Sequence, residues 1–202
     1  MAVITISRQF GAGGRTFGNM LSKELSFKFL DDVIIYEISK EAKVSSKCVK
    51  SLEREAGSKL SKIMSGLVAR DYIKRIICGK GFIDEEIYAK LLSDVMIKFA
   101  QEGDVILLGR GGQYILKDYE DTYHIFLVAG MPHRIEFMHQ YYNMTDAEAE
   151  QAVLIGEKKR ANFFKKFGKE DYDQPYHYDL VLNMSRLSLE AAVKQVCILV
   201  QK

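Results

Sequence analysis

The chain reads as an α/β protein with helices layered on a parallel sheet. Short apolar runs recur along it, and amphipathic helical patterns fill the intervals between them. A glycine-rich turn joins the first run to the first helical pattern. At 202 residues the chain is long enough for one sizeable core, with room for a subdomain or lid.

Val3–Ser7 is β-branched and apolar, as expected of a strand buried on both faces. The glycine loop follows, and Thr16–Leu25 reads as a helix with Leu21 and Leu25 on its inner face. Phe27–Leu30 is a weaker strand ahead of Asp31 and Asp32, and Ile34–Ala42 is the next helix. Glu85–Ala100 is helical, and Val105–Leu108 and Ile125–Val128 are strands. Helices over Pro132–Gln140 and Asp146–Lys166 lead to a strand at Leu180–Leu182. The last helix, Ser188–Val200, opens with Ser188 as N-cap and Glu190 in its first turn. Residues 43–100 run long and helical without a strand, which predicts an inserted helical subdomain. Residues 141–178 are polar, charged and aromatic, which predicts a lid over the carboxyl ends of the strands, where open α/β sheets bind ligands.

Hydrophobic residues make up 48% and charged residues 28%, an ordinary balance for a globular protein. A formal net charge of +2 gives no general attraction to nucleic acid or membrane, so neither is expected as a partner. Anion binding therefore has to come from local clusters of arginine and lysine. The opening residues lack the basic region and long apolar run of a leader, and no apolar stretch is long enough for a membrane span. A cytoplasmic protein is expected. Cys48, Cys78 and Cys197 form no CxxC pair, so zinc and redox motifs are absent and reduced structural thiols are expected. His124, His133, His139 and His177 show no metal-ligand spacing.

The chemistry concentrates in Ser7-Arg8-Gln9-Phe10-Gly11-Ala12-Gly13-Gly14-Arg15-Thr16. A strand, a tight turn and a helix N-terminus in series aim free backbone N–H groups and a helix dipole at one point, an anion site suited to phosphate. Thr16 places a hydroxyl where a phosphate-bound Mg²⁺ needs one. The loop nearly fits G-x-x-x-x-G-K-[ST], but the lysine is missing. Gly11-x-Gly13 also resembles a dinucleotide-binding turn, with Thr16 at its third glycine and Asp31 or Asp32 as the ribose acid. Arg110, between Gly109 and Gly111 at the end of a strand, can present its guanidinium fork to a phosphate or carboxylate. Arg134, Lys158, Lys159, Arg160, Lys165 and Lys166 form a basic series on two later helices, suited to neutralising a transferring phosphoryl group.

Together these residues resemble the cytidylate kinase-like branch of the P-loop nucleoside monophosphate kinases over nearly the whole chain. The opening Ile4–Arg15 looks like that branch's variant phosphate loop. Phe29-Leu30-Asp31-Asp32 with Tyr36 resembles its monophosphate side, and Gly109-Arg110-Gly111 its strand-end arginine motif. Tyr178–Asn183 and Leu187–Glu190 resemble its closing strand and helix. The resemblance implies a P-loop kinase fold: one domain with a doubly wound parallel sheet of about five strands, a monophosphate-binding insertion at 43–100 and a lid at 141–178. It also implies transfer of the γ-phosphoryl group of ATP to CMP or dCMP with Mg²⁺.

Under that reading Gly11, Ala12, Gly13, Gly14, Arg15 and Thr16 bind the donor phosphates, and Thr16 touches the metal. Arg15 replaces the lysine, Arg110 holds the acceptor phosphate beside Asp32 and Tyr36, and Arg134 and Arg160 close over the transferring group. The sequence departs from typical cytidylate kinases, whose loop reads G-x-x-G-x-G-K-G-T. Without a gap Gly14 takes the lysine position, and a one-residue shift puts Arg15 there. Gly111 replaces the acid expected to read the cytosine amino group. A non-catalytic nucleotide-binding module, a kinase of another small acceptor and a dinucleotide-dependent oxidoreductase are the alternatives.

Overall fold

The computed structural model describes residues 1–55, 81 and 83–200. The remainder of the 43–100 insertion and Cys78 lie outside the described residues. Five strands, β1 (Val3–Arg8), β2 (Lys28–Leu30), β3 (Val105–Leu108), β4 (Thr122–Val128) and β5 (Leu180–Asn183), form one sheet in the order β2-β3-β1-β4-β5. Every pairing is parallel. The helices are α1 (Gly14–Leu25), α2 (Asp32–Glu41), α3 (Ser46–Glu55), α4 (Glu85–Glu102), α5 (Gly112–Ile115), α6 (Met131–Tyr142), α7 (Asp146–Lys166) and α8 (Leu189–Val200).

The alternation of the strands explains both layers. Ile4, Ile6, Ile106, Leu108, Ile125 and Leu127 face one way and pack with Phe17 and Leu21 of α1 and Ala192, Val193 and Val196 of α8. Val3, Val105 and Leu107 face the other way and pack with Ile34, Ile35 and Ile38 of α2 and Tyr88, Leu92 and Met96 of α4. The sheet is therefore covered on both faces, as a doubly wound sheet requires. The order also departs from the 3-2-1-4-5-6 of the dinucleotide fold, so the glycine turn does not sit in that fold.

Two polar side chains of β1 are buried and satisfied. Thr5 Oγ1 pairs with His124 Nδ1 at 2.7 Å, and Ser7 donates to Gln113 Oε1 at 3.0 Å. Helix α7 begins with a capping box, in which Thr145 and Glu148 satisfy one another's backbone N–H groups. The expectation of reduced thiols is corrected among the described residues. Cys48, buried beside α2, is disulfide-bonded, while the buried Cys197 thiol is free.

Phe17 carries the packing of α1 on the sheet and is fully buried. Phe17→Ala is expected to cost about 3–5 kcal/mol of unfolding free energy through lost burial and the cavity left behind. Urea unfolding followed by circular dichroism measures this, and a loss under about 1 kcal/mol would contradict the assigned core.

Candidate functional site

The carboxyl ends of β1, β2 and β3 open on a pocket of about 560 Å³. Its cations Arg8, Arg15, Lys50, Arg110, Lys159 and Arg160 outnumber its carboxylates Asp31, Asp32 and Glu53. Each strand end contributes by position: Ser7 and Arg8 from β1, Asp31 just after β2, and Leu108 to Arg110 from β3. Helix α7 forms the opposite wall with Gly156, Lys159, Arg160, Phe163 and Phe164.

Arg110 has positive φ, at 54°, between two glycines that also have positive φ. That turn swings its side chain back against α3. Its Nε donates to Glu53 Oε1 at 2.8 Å and its Nη1 to the Asp31 carbonyl oxygen at 3.0 Å. Tyr88 donates to the same Glu53 oxygen at 2.7 Å. Burial works against charge on Arg110, but Glu53, Tyr88 and Asp31 together overcome it and raise the guanidinium above its ordinary value. The same burial and the Glu53 carboxylate hold the Tyr88 phenol well above its own, so it remains a donor.

Asp31 sits between two arginines. Arg15 Nε donates to its Oδ2 at 2.9 Å, and Arg110 Nη1 lies 3.3 Å from its Oδ1. Burial pushes Asp31 upward, but Arg110, Arg15 and Arg8 overcome this and hold it below the ordinary carboxylate value. Arg160 is clamped by Asp173 on both terminal nitrogens and lies over the Tyr172 ring, 4.8 Å from its centroid. Arg8 has a different environment. Burial first, then the charges of Arg110, Arg160 and Arg15, lower its guanidinium to about 10 against the pull of Asp31. It remains charged at neutral pH. Among the described residues it makes no hydrogen bond or ion pair.

The glycine loop adjoins this pocket. Gly13 caps α1 in the left-handed conformation, φ 80°, and no side chain caps the helix. The amides of its first turn are thus left for an anion. Thr16 is half-buried, and its hydroxyl has no hydrogen-bond partner among the described residues. The loop is also held from above. Glu157 of α7 accepts a hydrogen bond from the Phe10 N–H, and its Oε1 lies 3.2 Å from Arg134 Nη1. The Phe10 ring lies across Gly156, where an added methyl would come within 2.2 Å of it.

The sequence-predicted residues divide accordingly. Arg15, Asp32, Arg110 and Arg160 meet in one pocket. Gly11, Ala12, Gly13, Gly14 and Thr16 form the adjoining loop and helix start. Arg134 lies behind the loop, outside the pocket lining, with its Nε buried and unpartnered among the described residues. Tyr36 points into solvent at 60% exposure. Sequence reasoning missed Arg8, Glu53, Glu157 and Asp173.

Among the described residues no cluster of His, Cys, Asp or Glu forms a metal site, and no helix is long and apolar enough to cross a membrane. A family model described as the cytidylate kinase-like family matches residues 3–186. No curated protein matches. An uncharacterized protein from Eubacterium ventriosum shares the fold at 15% identity and TM-score 0.66, over 100% of this chain and 99% of that one. A shikimate kinase from Bacteroides thetaiotaomicron matches at 13% identity and TM-score 0.50, over 100% and 99%. A gluconokinase from Sinorhizobium meliloti matches at 10% identity and TM-score 0.52, over 99% and 91%.

The depressed Asp31 predicts acid sensitivity. Its folded value lies below the unfolded one, so its contribution is complete above about pH 4 and is lost as pH falls through the folded value. Asp31→Asn should lose about 1–3 kcal/mol at pH 7 and show a shallower decline in stability on acidification. Parallel acid-unfolding curves for the two proteins would contradict this assignment.

Proposed function

Because the chain belongs to the cytidylate kinase-like family, we propose that it transfers the γ-phosphoryl group of ATP to a nucleoside monophosphate, with CMP or dCMP as acceptor. Family membership supports nucleotide-binding phosphoryl transfer as the general class. The pocket supports the acceptor class, and it is the single observation that carries the reading. A guanidinium-rich face suits an acceptor phosphate, while Asp31, Asp32 and Glu53 suit a base or sugar that donates hydrogen bonds. A volume of about 560 Å³ lies within the usual range for small-molecule sites.

In the proposed reaction an oxygen of the acceptor phosphate attacks the γ-phosphorus, and the bridge to the β-phosphate breaks. That oxygen is already deprotonated at neutral pH, so no general base is needed. The chain's part is positioning and charge neutralisation. The loop from Gly11 to Thr16 cradles the donor phosphates. Arg110, pre-oriented by Glu53 and the Asp31 carbonyl, offers its remaining donors to the acceptor. Arg15 and Arg160 flank the transferring group, and Arg134 acts through the loop and Glu157. The residues fit a Mg²⁺ that arrives on ATP: Thr16 would offer it a hydroxyl that has no partner among the described residues, beside the phosphate oxygens and waters such an ion carries. The metal supplies charge neutralisation when bound. The 141–178 lid, including α7, excludes water on closing, and 43–100 supplies the acceptor side. A cytoplasmic location belongs to the same proposal, and the Cys48 disulfide is the feature that does not follow from it.

The second reading is a non-catalytic nucleotide-binding module. Gly14, standing where a lysine is expected, favours it.

ADP release measured with ATP, Mg²⁺ and each nucleoside monophosphate in turn tests the proposal. The expected result is turnover with CMP or dCMP ahead of the others. Arg110→Ala should lower kcat/KM by about 2–4 kcal/mol of transition-state stabilisation and leave ATP affinity nearly intact. ATP binding without turnover on any monophosphate would favour the binding module. Turnover on a small alcohol alone would move the acceptor to another class.

A further inference from the structure

Two departures in the phosphate loop are physically one. In the ungapped register of G-x-x-G-x-G-K-G-T, Arg8 stands on the first glycine and Gly14 on the lysine. The stem of Arg8 lies directly over Gly14. A methyl placed at Gly14 would sit 2.7 Å from Arg8 Cγ and 3.1 Å from Cδ. No side chain fits at position 14 while Arg8 holds this course.

The guanidinium then crosses to the end of β3. A methyl at Gly109 would lie 2.0 Å from Arg8 Nη1, and Gly109 has φ +74°. Gly109 thus leaves open the space that Arg8 occupies. At its far end Arg8 lines the pocket with Arg15, Arg110 and Arg160. Those three are neutralised by Asp31, Glu53 and Asp173 respectively. Arg8 has no such partner among the described residues. Arg15, the other substitute for the lysine, is 57% exposed and already committed to Asp31.

We propose that Arg8 is the phosphate-binding cation of the loop, acting at the β- and γ-phosphates of a nucleoside triphosphate in place of the absent lysine. Glycine and cation have exchanged positions 8 and 14, and the charge reaches the anion site from the strand instead of from the helix. A guanidinium meets phosphate oxygens through two parallel N–H donors where an ammonium offers a point charge. Burial first, and the like charges of Arg110, Arg160 and Arg15 after it, hold this guanidinium at about 10, and a phosphate anion beside it would favour its charged form. The inference rests on the donor-nucleotide reading given above.

Isothermal titration with ATP, ADP and AMP tests it on the wild type, Arg8→Ala, Arg15→Ala and the double variant R8G/G14K. Arg8→Ala should weaken ATP by about tenfold to a hundredfold, the scale of one lost charged hydrogen-bond contact, and AMP hardly at all. Arg15→Ala should weaken ATP less than Arg8→Ala does. R8G/G14K removes the stem over position 14 and restores the ordinary loop, so it should recover ATP affinity. Wild-type affinity in a folded Arg8→Ala protein, or a larger loss from Arg15→Ala, overturns the assignment to Arg8 and leaves the donor reading standing. Where Arg8→Ala does not fold, a folded R8G/G14K that fails to bind ATP overturns it equally. A wild type that binds none of the three nucleotides overturns both.

Discussion

The site is organised by like-charge repulsion. Arg8, Arg15, Arg110 and Arg160 converge on one crevice, and guanidinium groups do not gather there without anions to hold them. Asp31 and Glu53 supply that charge from beneath, and Asp173 from the far wall. The arrangement constrains the fold around it. Asp31 has to follow β2 directly, the Arg110 turn has to take positive φ, and Tyr88 of α4 has to reach Glu53 of α3. What the protein carboxylates leave uncompensated is a net positive pocket, the charge that the proposed phosphate ligand requires.

The same logic links the loop to α7. Glu157 accepts a hydrogen bond from the Phe10 N–H and pairs with Arg134, so a carboxylate of α7 touches the first amide of the glycine loop. Phe10 seated on Gly156 fixes that contact sterically. The glycine loop and α7 are therefore packed together in this structure.

Most of the fold was legible in the sequence because a doubly covered sheet needs continuous apolar strands. Val3–Ser7, Val105–Leu108 and the apolar half of β4 stand out for that reason. The four-residue α5 is too short to show a period, and the polar start of β4 hides because Thr122, Tyr123 and His124 are only half-buried. The glycine loop and Arg110 announced themselves by composition. Arg8 did not, because a lone arginine at a strand end has no periodic signature. Its nearness to Gly109 follows only from the parallel register that sets Ile6 beside Leu108. The exchange of glycine and cation between positions 8 and 14 was the signal available. Glu53, Glu157 and Asp173 reach their arginines through tertiary packing, and Arg134 turned behind the loop for the same reason.

A crystal structure with a bisubstrate analogue, adenosine and cytidine joined through a phosphate chain, tests the central claim most directly. The account predicts phosphate oxygens about 2.7–3.0 Å from the Arg8 guanidinium and from the first-turn amides of α1, with the cytidine end beside Asp31 and Glu53. A phosphate chain seated away from Arg8 and the strand ends, or an analogue that does not bind, would contradict it.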